Sequence, residues 1–184
     1  SYIIDSNAAF NYLTATNKVT AWVGDADEGY YDLSLGNFNF SFYGVPVNTV
    51  RIATNGYISF SQDDVDFFNV PMPDPTPPNA IVAPFWCDLD LTNLTGNDGV
   101  WWAIQGTAPN RQLVVEWFNV PSWDNGFETY RFEIILYETA NIIKFQYQNV
   151  SSGSQYDFGA LATVGVENSL GTAASQFSDY SPVL

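Results

Sequence analysis

The chain has 184 residues, 46% of them apolar and 17% aromatic, which is enough for one domain with a hydrophobic core and too much for disorder. Charged residues make up only 14%, and twenty acids against five bases give a net charge of −15, which repels nucleic acid and anionic lipid. No apolar run is long enough for a spanning helix, so neither nucleic-acid binding nor membrane insertion is expected. A surface left to Ser, Thr, Asn, Gln and Tyr points to a secreted or cell-surface protein. No signal peptide is visible, so in an exported protein Ser1 is the expected mature N-terminus. Sparse charge with few lysines also suits an acidic setting, where protonated carboxyls repel one another less.

Residues 1–20 read as an N-terminal extension and residues 21–184 as a single domain. The extension has an apolar head, Tyr2, Ile3 and Ile4, and a first strand is predicted near Phe10–Thr16. A turn with Asp25, Asp27 and Glu28 follows, and then plain alternation: Tyr31, Leu33 and Leu35 share one face, as do Phe38, Phe40 and Phe42, with Asn39 outward. Val50–Phe60 reads as a hairpin by its Asn55-Gly56 signal. A two-residue loop would split its apolar residues between faces, whereas a loop of Thr54–Gly56, with Gly56 left-handed, pairs Ile52 with Ile58. Ser61–Pro78 holds half of the ten prolines beside Asp63, Asp64 and Asp66, and is expected to be an exposed, stiff loop.

The stretch Asn79–Asp90, NAIVAPFWCDLD, is the strongest buried-strand signal, an apolar run reading as a strand covered on both faces with Pro84 at a bulge or edge. Further strands are predicted at Val100–Gln105, Gln112–Val120, Phe132–Tyr137, Ile143–Gln148 and Ala160–Val166, with a loop at Pro121–Gly126. In the pair 132–148 one face is apolar and the other largely polar. The last residues, 175–184, carry little pattern. About ten strands, no convincing helix and turn signals every 8 to 12 residues predict an all-β, antiparallel, jelly-roll-like sandwich.

The series FNFSFYG, TNGYISF, IVAPFWCDLD, GVWW, APNRQLVVEWFNVP, FEIILYET, IIKFQY and ATVGVEN, spanning about Trp22–Pro182, resembles a β-sandwich module recurring in large secreted and protease-associated proteins of bacteria and archaea. Its first half, TNGYISF, APFWCDLD and GVWW, also resembles the extracellular nidogen-type domain. The resemblance implies a sandwich fold and brings no catalytic residues with it. In the modules it resembles, the Pro-Val-Leu near the end is followed by one more apolar strand, and here the sequence stops at Leu184. A sandwich lacking a strand has an open edge and a groove. Tyr2, Ile3 and Ile4 are the expected filler, either in their own groove or in that of the next copy, where a head-to-tail contact builds a filament by donor-strand complementation.

Catalysis is not expected. There is no histidine, and the lone Cys87 lies in an apolar run, which removes triads and His-ligated metal centres. Glu116 and Glu133 on neighbouring predicted strands are a candidate carboxylate pair, but Arg131 lies across from Glu116 as a simple partner. Calcium is a candidate cofactor, with oxygen ligands at Asp25, Asp27 and Glu28, at Asp63, Asp64 and Asp66, and best at Asp88, Asp90, Asn97 and Asp98. Asn39, Asn93 and Asn149 begin N-x-[ST] sequons, the acceptor pattern of a glycoprotein. Trp102 and Trp123 are the expected outward aromatics, as glycan or interface platforms, while Trp22, Trp86 and Trp117 fit the core. The expectation is therefore a non-enzymatic, extracellular structural or adhesive protein whose partner is another copy of itself, with a carbohydrate-binding accessory module as the alternative.

Overall fold

Strands form where the alternation is strongest. The computed structural model describes residues 1–184, the side chains of residues 125 and 126 excepted. Its strands are β1 (Asn17–Lys18), β2 (Tyr30–Ser34), β3 (Phe40–Phe42), β4 (Val45–Val47), β5 (Thr49–Ala53), β6 (Tyr57–Ser59), β7 (Ile81–Trp86), β8 (Gly99–Gln105), β9 (Gln112–Ser122), β10 (Asn125–Tyr137), β11 (Ile142–Asn149), β12 (Thr163–Glu167) and β13 (Ala174–Asp179). Every pairing is antiparallel. One sheet runs β1-β8-β9-β10-β11, the other β13-β12-β7-β6-β5-β2, and β3 and β4 form a separate hairpin. The fold is the expected all-β sandwich, and among the described residues its one helical element is a short 3-10 turn at Asp157–Gly159.

The expected central strand is β7, buried at every position between β12 and β6. Pro84 cannot donate to a ladder, and it sits where the β7–β12 register slips between Thr163 and Gly165. Aromatic side chains stack between the layers. Phe85 lies 5.1 Å from Tyr130 and 5.2 Å from Phe132, Trp117 lies 5.2 Å from Phe132, and the Trp117 indole N–H crosses to the Ala53 carbonyl at 3.2 Å. The β5–β6 hairpin has the predicted three-residue loop, with Ile52 opposite Ile58 and Gly56 at φ 81°.

Three expectations need correction. Residues 10–16 form no ladder; they run as an extended arm across the outer face of the first sheet, where Leu13 and Ala15 pack on Ala103, Val114 and Ile135. The outer faces of β10 and β11, expected to be wet, are thus partly covered. The segment Ser61–Pro78 is not simply exposed, because it straps the outer face of the second sheet, with Met72 and Val70 against Tyr57, Ile81 and Trp86. Of the expected loop Pro121–Gly126, Pro121 and Ser122 end β9 and Trp123–Asp124 form the turn, while the side chains of its last two residues lie outside the described residues.

Both straps are held in one way. The backbone N–H groups of Asn11 and Leu13 donate to Gln146 Oε1 and Glu133 Oε1, and those of Met72 and Asp74 donate to Gln176 Oε1 and Glu167 Oε2. A segment crossing strands at an angle cannot use a ladder, so strand side chains supply the acceptors its buried amides require.

A Cβ on Gly56 would lie 2.1 Å from the Phe85 carbonyl oxygen, on a backbone that L-residues rarely adopt. Gly56→Ala is expected to cost about 2–4 kcal/mol, through strain and separation of the hairpin from β7, read as a lowered urea midpoint.

Candidate functional site

β11 is one edge of the first sheet and β13 one edge of the second, and the two lie on the same side of the sandwich, with β1 and β2 at the opposite edges. Between them runs a groove of about 350 Å³. Its walls are Ile143, Phe145 and Tyr147 of β11, Val164 and Val166 of β12 and Phe177 of β13, with Val183 and Leu184 at the end of the chain. Tyr147, Phe145 and Ile143 stand opposite Phe132, Ile134 and Leu136, so they face inward by register, yet they stay half-buried because only the N-terminal head lies across them on the far side. The Tyr147 hydroxyl spans the layers to the Pro84 carbonyl at 2.7 Å.

The N-terminal head crosses this groove without becoming a strand of it. Tyr2 docks at one end, 5.5 Å from the Phe42 ring and 5.1 Å from the Tyr43 ring, and its carbonyl accepts from Ser175 Oγ at 2.6 Å. Ile3 is 94% exposed and Ile4 48% exposed. Among the described residues, no backbone-to-backbone hydrogen bond joins residues 1–8 to either edge strand. The head therefore lies over the groove and leaves both edges open. Burying the two isoleucines would add about 2–5 kcal/mol that this conformation leaves unrealised.

A second cluster lies at one end of the sandwich. Asp27, Glu28 and Asp88 each offer a carboxylate oxygen, all within 4.8 Å of one another. Asn55 assembles them, since its Nδ2 donates to Glu28 Oε2 at 2.9 Å and its Oδ1 accepts from the Leu89 N–H at 2.8 Å. Burial first, and then the neighbouring acids, push Glu28 up to about 7 and Asp88 up to about 6; Asp27 is raised by the same causes. Such an oxygen set suits a hard cation.

The residues expected to join Asp88 are arranged differently. Asp90 stays close enough to act on Asp88 electrostatically, but its Oδ1 accepts from the N–H and hydroxyl of Thr92. Asp98 accepts from Asn119 at 3.0 Å and the Asn97 carbonyl accepts from the Trp101 indole, so the 97–98 turn does not fold back on the strand end. Asp25 caps its own turn through the Asp27 and Glu28 N–H groups. Asp63 and Asp66 turn their carboxylates to their own strap, accepting from Ser61 Oγ and the Phe68 N–H, while their carbonyls accept from Arg51 and Trp86.

Trp102 faces the core with Val100 and Ile104, and it is Trp101 that lies on the outer face, beneath the arm. Trp123, at the β9–β10 turn, is 60% exposed. Trp86 and Trp117 are buried and Trp22 is half-buried. Of the sequons, Asn39 and Asn93 are exposed, whereas the Asn149 amide donates to the Thr129 carbonyl at 2.9 Å. Cys87 is buried, which raises its thiol well above the ordinary value and favours the neutral form over the nucleophilic thiolate. Glu116 and Glu133 are enclosed under the arm, and Arg131 Nε reaches Glu116 at 2.8 Å.

Glu133 and Glu167 are likewise raised, to about 7, chiefly by burial. A carboxyl whose pKa is higher folded than unfolded contributes stability that is complete below about pH 4 and is lost as pH rises toward 7. Glu138, lowered to about 2 mainly by its Arg111 hydrogen bonds, acts oppositely and only in stronger acid. The thermal midpoint is therefore expected to be higher at pH 4.5 than at pH 7.5. Calcium seated among Asp27, Glu28 and Asp88 would raise the midpoint at pH 7.5 and not at pH 4.5, and Asp88→Asn would abolish the rise; no calcium effect at either pH excludes occupancy.

A family model described as NIDO related matches residues 1–183. No curated protein and no solved structure matches the chain.

Proposed function

We propose that this chain, which belongs to the NIDO-related family, is a non-enzymatic subunit of an extracellular filament in which the head of one copy enters the β11–β13 groove of the next. Modules of this family are typically extracellular, and among the described residues no helix is long and apolar enough to cross a membrane. The observation that carries the reading is the groove itself, apolar and flanked by two free strand edges, with an apolar segment of the same chain lying over it unpaired.

The head has the alternation of a strand. Tyr2, Ile4, Ala8, Phe10 and Tyr12 fall on one parity, broken only by Ser6, while Ser1, Asp5, Asn7 and Asn11 fall on the other, together with Ile3 and Ala9. In the groove of a neighbour the even set faces inward and the backbone pairs with β11, β13 or both, so that Ile4 leaves water and the edges gain a ladder. Residues 1–8 reach roughly 26 Å when extended, about twice the length of the Ile143–Tyr147 wall, which leaves slack to span two bodies. A head-to-tail contact of this kind does not close on itself and so propagates.

Light scattering with negative-stain imaging tests this on three chains: the full chain, one lacking residues 1–8, and a full-length Phe145→Asp variant whose groove is blocked. Full-length protein is expected to polymerise with concentration, and each altered chain to stay monomeric. Mixed together, the two altered chains should give a 1:1 dimer that grows no further, because only one head and one groove remain. A monomeric full-length chain, or polymers indifferent to both changes, would end the proposal. Trp123 beside Asp124 is what supports the alternative, a glycan-binding module; a glycan array bound by the full chain and lost in Trp123→Ala would bring it forward.

A further inference from the structure

Glu116 of β9, Glu133 of β10 and Gln146 of β11 stand side by side on the outer face of the first sheet, each directly opposite the next. The arm seals them in, leaving Glu133 0% exposed and Glu116 2% exposed. Two carboxyls thus share one guanidinium, and Arg131 is committed to Glu116 and to the rings of Phe118 at 4.0 Å and Tyr12 at 5.2 Å. Glu133 Oε1 accepts from the Leu13 N–H at 2.9 Å and from Gln146 Nε2 at 2.7 Å. Its Oε2 is buried without a hydrogen-bond partner. An ionised pair in such a place costs several times what a charged and a neutral carboxyl cost.

We propose that Glu133 is a proton-operated clamp: protonated, it holds the arm on the sheet, and its ionisation loosens the arm and so lengthens the N-terminal segment that can leave the body. The second half rests on the strand-exchange reading above; the first does not. The groups facing Glu133 are Glu116 on β9, Arg131 and, farther along, Tyr137 on its own strand, and Tyr12 on the arm. β11 contributes neutral Gln146 and, one step along the same face, Lys144, whose ammonium donates to the Ala9 carbonyl. A protonated Oε2 gains a hydrogen to donate where an ionised one has no donor to accept from. Burial is the largest cause raising this carboxyl to about 7, with Glu116 adding to it and the Leu13 and Gln146 hydrogen bonds opposing it. The docked arm therefore binds the proton more tightly than the released one, so docking is complete below about pH 4.5 and weakens as pH rises through about 7.

Amide hydrogen exchange on the full chain, corrected for the intrinsic pH dependence of exchange, reads the arm directly. Protection of residues 9–16 is expected to fall about tenfold or more between pH 5 and pH 8, with β9 and β10 unchanged. Glu133→Gln should remove that fall. Glu116→Gln, an independent variant, should move its midpoint to lower pH. Equal protection at both pH values in the native chain, or an undiminished fall in Glu133→Gln, overturns the clamp. A pH-sensitive arm on a chain that never polymerises would keep the clamp and sink strand exchange. Polymers carrying a pH-indifferent arm would do the reverse.

Discussion

Hydrogen bonds from backbone amides to strand side chains hold this molecule's covering segments on its two sheets. Two sheets with apolar residues on their outer as well as inner faces need covering, and the described residues include no helix long enough to do it. Extended segments take the helices' place. Their amides are answered by Gln146, Glu133, Gln176 and Glu167, while Glu138 accepts from the Asn39 and Arg111 N–H groups and Asn141 accepts from Ser41. Buried carboxyls are the price of this arrangement, and the raised proton affinity of Glu133 and Glu167 follows from it, while Arg111 holds Glu138 low. The higher stability expected in mild acid thus stems from how the chain is roofed as well as from its net charge.

The open side of the sandwich is where that roofing stops. The arm reaches the first sheet only from Ala9 onward and the proline-rich strap covers the second, so the β11 and β13 edges lie between two protected faces. An exposed pair of edges is ordinarily a hazard. Here the body around it carries a charge of −15, with all three arginines paired to acids and both lysines bonded to backbone carbonyls. Bodies so charged repel one another over a Debye length of about 8 Å at physiological salt, whereas contact through an apolar segment in a groove acts at close range. Long-range repulsion and short-range fit together favour one mode of association over indiscriminate sticking.

Much of this was legible in the sequence where apolar residues alternate with polar ones or a turn signal fixes the register. The alternations at 38–42, 113–117 and 132–136 gave their strands, and the register argument at Asn55-Gly56 gave the hairpin loop, because a slip there would have turned Ile52 and Ile58 outward. Strand β13 escaped because its sequence, ASQFSD, has one large apolar residue, as an edge strand can. The arm misled because local pattern reports alternation and not what a segment pairs with: Tyr12 and Leu13 look like strand residues and lie flat across one. Glu133 and Gln146 read as a solvent face since nothing local announces a cover arriving from 120 residues away or more. The carboxylate cluster was split between two acidic stretches in sequence, and what joins them is Asn55, a residue that already had a reason to be there as a turn former.

The path of the arm also decides how the molecule bears tension. It crosses β11, β10 and β9 in turn before entering a true ladder at β1, where Asn17 and Lys18 pair with Trp102 and Trp101. A pull on the head, whatever holds it, meets the attachments at Ala9, Asn11 and Leu13 singly and in series, as tape is peeled, and never all at once. Each residue freed pays out about 3.3 Å, so residues 9–16 can yield roughly 26 Å before the load reaches the sheet. The sandwich is thereby built with a spring ahead of its anchor, one that stretches and can lie down again while the core remains folded.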